Sequence, residues 1–313
     1  MAQVAVQNEW SRLEEVVLGR ATELYFPAMH PIELESVNPW WQRALATVVY
    51  TIARGRRVPG WITRKYVAEL EALRAVLLAH GVTVHRPVRV APLAEEPPGL
   101  GQMFARDPIM AVGDALIVGQ LQIEMRRKER RGLGPLLGEL TRSGAHVVSI
   151  PSDNAFLEGG DVIVDLPYVY VGVGKYGSNR AGAEWLQGQL GTAVTVVPVP
   201  LAVPGILHLD CCMTLIGPRL GIIHRESLVT PLPQPLDSYD FIEVDARTRQ
   251  ELGTNVLVLD PQTIIVQSRH VQLQQDLRDR GFRVIPLDFG WHARLDGAFR
   301  CATAPIRRSG ESG

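Results

Sequence analysis

The chain has 313 residues, 46% of them hydrophobic, and 32 Lys and Arg against 33 Asp and Glu give a formal net charge of -1. That is a globular composition with room for one large core, and the near-neutral charge excludes a nucleic-acid or anionic-membrane surface as the basis of function. No stretch has the apolar length of a membrane helix, the N-terminus lacks a basic segment followed by an apolar run, and three cysteines are too few for a disulfide framework, so the expected location is a reducing cytoplasm.

The predicted elements repeat. A strand over 15–18 is followed, after a long insertion, by a helix over 65–80, Gly81 and a strand over 82–85. Val67, Leu70, Leu73 and Leu77 form the apolar face of that helix, and Arg74 falls off the spacing. The same order returns at 115–118, 127–143, Gly144 and 146–150, then at 168–171, 181–190, Gly191 and 194–197. A degenerate copy pairs 220–223 with 241–244 across a polar, Pro-rich run. The last copy is 263–266, 271–280, Gly281 and 282–285. Glycine just past a helix takes the left-handed conformation cheaply. Five strand–helix–strand modules predict an α/β fold built as a closed or stacked array, with one catalytic domain over 1–313. The Trp- and Pro-rich stretch 25–61, with Trp40-Trp41, reads as a lid or a helical insertion.

The loops after each module's second strand carry the polar motifs: Arg106-Asp107, Glu158-Gly159-Gly160-Asp161, His208-Leu209-Asp210, Thr254-Asn255 and the turn ending at Cys301. In a closed array these loops share one face. Gly297 and small neighbours give access to Cys301, and Arg300 is a nearby cation that would favour thiolate. Cys211-Cys212 opens an apolar strand and reads as structural. His208 and Asp210, at i and i+2, share one face of an extended segment, and histidine is the natural proton carrier near neutral pH. Acids converging on one point call for a cationic ligand, and a guanidinium, planar with several N–H donors, fits bidentate carboxylates best. The run Gly172-Val173-Gly174-Lys175-Tyr176-Gly177 matches a dinucleotide fingerprint, but the acid expected about twenty residues on is missing. No zinc spacing surrounds His208, Asp210, Cys211 and Cys212. Neither a cofactor nor a metal is expected.

These motifs, in this order, resemble the guanidino-group-modifying enzymes: amidinotransferases, arginine deiminases and dimethylarginine dimethylaminohydrolases. The opening Asn8-Glu9-Trp10-Ser11-Arg12-Leu13-Glu14-Glu15-Val16-Val17-Leu18-Gly19-Arg20 and the closing Arg307-Arg308 are similar to glycine amidinotransferases, so the resemblance spans nearly the whole chain. It implies a five-bladed α/β propeller of the pentein type. It implies Cys301 as nucleophile, His208 as general acid and base with Glu158 beside it, and Asp107, Asp210 and Asp161 around the guanidinium. Arg180 falls near the position of a deiminase arginine that binds the substrate carboxylate. The expected reaction moves the amidino group of L-arginine to an amine acceptor through an amidino-cysteine. The alternatives are an arginine deiminase or dihydrolase, and a non-catalytic propeller that acts as a binding module. The expected partners are a small guanidino substrate and an amine acceptor, with no nucleic acid and no membrane; a homo-oligomer is compatible with the sequence. The family's turn before the cysteine is commonly Gly-Gly-Gly-x-His-Cys; here Arg300 stands where that histidine would be.

Overall fold

The computed structural model describes residues 4–28, 30, 32, 40–151, 154–203 and 205–309. With strands numbered in chain order, they build five three-stranded sheets of one topology. The first contains β1 (Leu13–Leu18), β3 (Thr83–His85) and the last strand of the chain, β17 (Thr303–Arg308). The second is β5 (Ile109–Val112), β6 (Ala115–Val118) and β7 (His146–Ser149), and the third is β8 (Val162–Asp165), β9 (Tyr168–Val173) and β10 (Thr195–Pro200). The fourth is β11 (Met213–Gly217), β12 (Leu220–Ile223) and β13 (Asp240–Glu243), and the fifth is β14 (Leu257–Asp260), β15 (Thr263–Gln267) and β16 (Arg283–Leu287).

In every sheet the middle strand pairs antiparallel on one side and parallel on the other. The middle strands are the first strands of the predicted modules, and the parallel partners are the second. What the module pattern left out is the antiparallel strand of each sheet. A middle strand flanked on both edges, with both faces covered, needs an unbroken apolar run rather than alternation. Val16, Val17, Leu18, Leu116, Ile117, Val169, Tyr170, Val171, Ile222, Ile223, Ile264, Ile265 and Val266 are accordingly all buried. The pairing of β17 with β1 ties the end of the chain to its beginning.

The crossovers follow the predicted punctuation. Helices at Gly60–Ala79, Arg180–Leu190 and Val271–Asp279 each end near a glycine, and Gly81, Gly144, Gly191 and Gly281 all have positive φ. Leu70, Leu73 and Leu77 are buried on the first helix, and Arg74 is exposed. The helix expected over 127–143 is two pieces: a 3-10 helix at Glu124–Leu133 and an α-helix at Gly134–Arg142. Pro135 lacks an N–H and suits only a first helical turn. Gly132 is pressed against the carbonyl of Val88, where a side chain would not fit. Between β12 and β13 the described residues form two short 3-10 turns.

Of the stretch 25–61, Tyr25 ends β2 (Leu24–Tyr25), which pairs antiparallel with β4 (Leu100–Gly101), and 40–53 is a helix. Residues 29, 31 and 33–39, and the side chains of Trp40 and Trp41, lie outside the described residues, and that part of the expected lid with them. No described helix is long and apolar enough to cross a membrane.

Candidate active site

Each motif loop runs directly into the antiparallel strand of the next sheet: Asp107 into β5, Asp161 into β8, Asp210 into β11, Asn255 into β14 and Cys301 into β17. The loops are tied to one another by backbone and side-chain bonds. Gly159 N–H donates to Asp107 O at 3.1 Å, Asp210 N–H to Gly160 O at 3.1 Å, and Arg106 N–H to Cys301 O at 3.1 Å. Asn255 Nδ2 donates to Asp210 O at 3.3 Å. Residues nearly two hundred positions apart therefore meet. Asp107, Glu158, Asp161, His208, Asp210, Asn255 and Cys301 are each at most 2% exposed.

His208 lies between two acids, with Nε2 2.9 Å from Glu158 Oε2 and Nδ1 3.5 Å from Asp107 Oδ1. Burial alone would lower its pKa, but Asp107 and Glu158 outweigh burial and raise it well above the ordinary value. That direction favours the imidazolium over the neutral ring. A raised histidine stabilises the fold fully below its unfolded pKa, and that contribution is lost as pH climbs through the raised value. Gly160 makes the packing feasible, because a Cβ there would fall 2.6 Å from His208 Nδ1 and 2.9 Å from Asp107 Oδ1. Replacing His208 with alanine should lower turnover by about 10²–10⁴-fold, measured as the steady-state rate; a wild-type rate would show that another group carries the proton.

The spacing of His208 and Asp210 has a different origin from the expected extended segment. His208 is extended, but Leu209–Cys211 is one 3-10 turn. Asp161 imposes it by accepting from Leu209 N–H at 2.8 Å and from Ser178 N–H at 2.7 Å. With one bond to each oxygen, Asp161 braces the His208 loop instead of facing a ligand, and burial raises its pKa to about 7. The glycine-rich run serves the same packing: a Cβ at Gly177 would sit 2.7 Å from Asp161 Oδ2 and 3.0 Å from His208 Cδ2.

Cys301 Sγ lies 3.4 and 3.6 Å from the two oxygens of Asp210. Its pKa is raised well above the ordinary thiol value by its contact with the Cys211 thiol, by burial and by Asp210. Arg300 does not counter this. Its Nη1 donates to Asp210 Oδ2 at 3.0 Å, and its Nη2 to Glu9 Oε1 at 2.9 Å and to Val162 O at 2.6 Å. The expected thiolate-favouring cation is thus committed to two carboxylates. Both Cys211 and Cys212 are buried in the core, but the Cys211 thiol lies 3.7 Å from Asp210 Oδ1, inside the site, which the expectation of a structural pair leaves out.

The expectation that the converging acids call for a cationic ligand meets cations of the chain itself. Arg126 donates to Asp107 Oδ2 at 2.8 Å and to both oxygens of Glu129 at 3.2 Å. Asp107, Glu158 and Asp210 each have an internal basic partner. What stays open is a set of acceptors: Asp107 Oδ1 is buried and accepts no hydrogen bond among the described residues, with His208 Nδ1 3.5 Å away, and among the described residues Asp210 Oδ1 meets thiols alone. Arg180 is not brought to this cluster. It is exposed on the first turn of its helix, which Asn179 caps by accepting from Gly182 N–H at 2.9 Å. Among the described residues no group of His, Cys, Asp and Glu is arranged to hold a metal ion. Arg126 was hidden in the charged run Glu124–Arg131, which reads as a solvated helix face. Glu9 lay in the N-terminal stretch, with no chemical signature of its own.

A family model described as N,N dimethylarginine dimethylhydrolase, eukaryotic, matches residues 60–308. Inosamine-phosphate amidinotransferase 1 of Streptomyces glaucescens is 26% identical, covering 99% of this chain and 98% of its own. Mitochondrial glycine amidinotransferase of Danio rerio is 24% identical over 98% of this chain and 83% of its own. Among solved structures, an inosamine-phosphate amidinotransferase from Streptomyces griseus superposes with a TM-score of 0.84 at 24% identity, covering 99% and 98% of the two chains.

Proposed function

We propose that this chain, which belongs to the N,N dimethylarginine dimethylhydrolase family within the amidinotransferase and arginine deiminase superfamily, is a cysteine-dependent amidinotransferase that takes the amidino group from L-arginine. We read the five like sheets as blades of a closed α/β propeller with the site on its axis; the pairing of β17 with β1 favours that reading.

In this reading the guanidinium lies flat between Asp107 and Asp210, with its central carbon against Cys301. Positioning of this kind supplies much of the acceleration in such reactions. The arriving cation offsets the pull of Asp210 on the thiol proton; that proton is released to solvent as the guanidinium binds, and the thiolate left behind attacks the central carbon. His208, as the imidazolium that Asp107 and Glu158 favour, gives its proton to the departing amine, leaving an amidino-cysteine. The now neutral His208 takes a proton from an incoming amine, which attacks the same carbon and releases the enzyme. Asp210 asks for N–H donors on its face of the guanidinium, which an unsubstituted guanidine has and a dimethylated nitrogen lacks.

The observation that carries transfer over hydrolysis is burial. Every reacting group is at most 2% exposed, so bulk water reaches the intermediate poorly, and an amine that binds where the departing amine lay meets it first. Relatives named as amidinotransferases that match almost end to end agree with this. The family model keeps hydrolysis as the second reading.

The test is to incubate the protein with L-arginine, with and without a pool of amines that includes glycine, and to identify products by mass spectrometry. We expect ornithine only in the presence of an acceptor, together with an amidinated amine. Citrulline without acceptors, or ornithine with ammonia and carbon dioxide, would replace transfer by hydrolysis. Arginine left untouched under every condition would remove arginine as the donor.

A further inference from the structure

Cys301 is surrounded by groups that disfavour its thiolate. Cys211, burial and Asp210 all push its pKa upward, and Arg300 is occupied elsewhere. Among the described residues one N–H group points at the sulfur. Asn255 Nδ2 lies 3.1 Å from Sγ.

The orientation of that amide is determined by its other end. Asn255 Oδ1 accepts from Ala298 N–H at 3.1 Å and from Cys301 N–H at 3.0 Å. Flipping the amide would set an NH2 group against two N–H donors, so the nitrogen must face the sulfur. The same NH2 reaches Asp210 O, and Thr254 Oγ1 donates to that carbonyl at 3.2 Å. One side chain therefore touches the sulfur, the backbone that carries it and the backbone of the neighbouring acid.

The chain is bent to place this residue. Leu252 has φ of 60°, Asp296 has φ of 56°, and Asn255 N–H closes back onto Leu252 O. Left-handed backbone is unusual for a leucine. Both loops that meet at Cys301 carry such a residue, and Asn255 is fully buried where they join.

We propose that Asn255 is the positioning residue that makes Cys301 usable. Its amide nitrogen stabilises the thiolate, and its amide oxygen clamps the turn that aims the sulfur. The proposal rests on Cys301 being the nucleophile. An N–H bond gains strength when its acceptor becomes an anion, so Asn255 contributes most when the thiolate forms.

Two substitutions separate the roles. Asn255→Asp keeps an oxygen for the two backbone donors and loses the N–H donor; Asn255→Ala loses both. The readout is the alkylation of Cys301 by iodoacetamide, followed by peptide mass spectrometry and expressed as the ratio of the rate at neutral pH to the plateau rate reached once the thiol is fully ionised, with a thermal melt of each protein. A looser fold alone would raise both rates together. Loss of the donor lowers the ratio, and we expect a fall of roughly ten- to a hundredfold in both variants, with the larger drop in melting temperature in Asn255→Ala. A wild-type ratio in either variant overturns the proposal. Turnover by Cys301→Ala would overturn the nucleophile assignment instead, and the alkylation ratio is read independently of turnover.

Discussion

Cys301→Ala will lose turnover by on the order of 10⁴-fold or more and will melt close to wild type. The bonds that hold this turn are made by the main chain: Cys301 N–H donates to Asn255 Oδ1, and Arg106 N–H donates to Cys301 O. Alanine keeps both. What it removes is a buried thiol whose ionisation is opposed by Cys211, burial and Asp210, a group better explained by chemistry than by stability. The comparison is the rate of arginine consumption beside a thermal melt. Intact-protein mass spectrometry adds a second check: wild type incubated with arginine and no acceptor should carry an amidino group, and the variant should not. Cys211 is the other thiol against Asp210. A variant that still turns over would move the nucleophile there, or end the covalent mechanism.

The repeat was readable because it is written in two short-range signals. Unbroken apolar runs mark the middle strands, and glycines with positive φ mark the helix ends; neither depends on distant contacts. The motif loops were readable for a related reason: each precedes an equivalent strand, so finding the repeat also placed His208, Glu158, Asp107 and Cys301 together. The partners of those residues were not readable. Arg126, Arg300 and Glu9 are ordinary charged residues in ordinary sequence surroundings, and only the fold turns them inward. Without them the acids looked like a cluster awaiting a cation, and Arg300 looked like a thiolate-stabilising neighbour. A chain position fixes what a side chain can do, but which partner it finds across the core is a long-range property. Arg180 shows the reverse case, a residue whose sequence position fits a role and whose side chain lies on the surface.

Removing Arg300 will destabilise the protein by about 3–5 kcal/mol and lower its melting temperature by roughly 5–8 °C. Arg300 is 1% exposed and binds two carboxylates that are also buried, Glu9 and Asp210. Methionine would fill much of the same space but would leave two uncompensated charges in the core. The pH dependence separates this cause from poor packing. Burial pushes the Glu9 carboxyl upward, yet Arg300 and Arg106 outweigh it and hold the pKa at about 2 against an ordinary 4.5. A depressed carboxyl contributes stability above its unfolded pKa and loses it as pH falls through the folded value. Wild type should therefore lose about 3 kcal/mol from this one group between pH 4.5 and 2. In Arg300→Met the largest lowering influence is gone and burial acts with less opposition. The folded pKa of Glu9 rises toward or past its unfolded value, so the acid-induced loss shrinks, and the gap between variant and wild type narrows as pH falls. Melting temperatures of both proteins from neutral pH down to about 3 test this directly. A gap that stays constant with pH would assign the loss to packing, and equal melting temperatures at neutral pH would mean that the buried pair contributes nothing to stability.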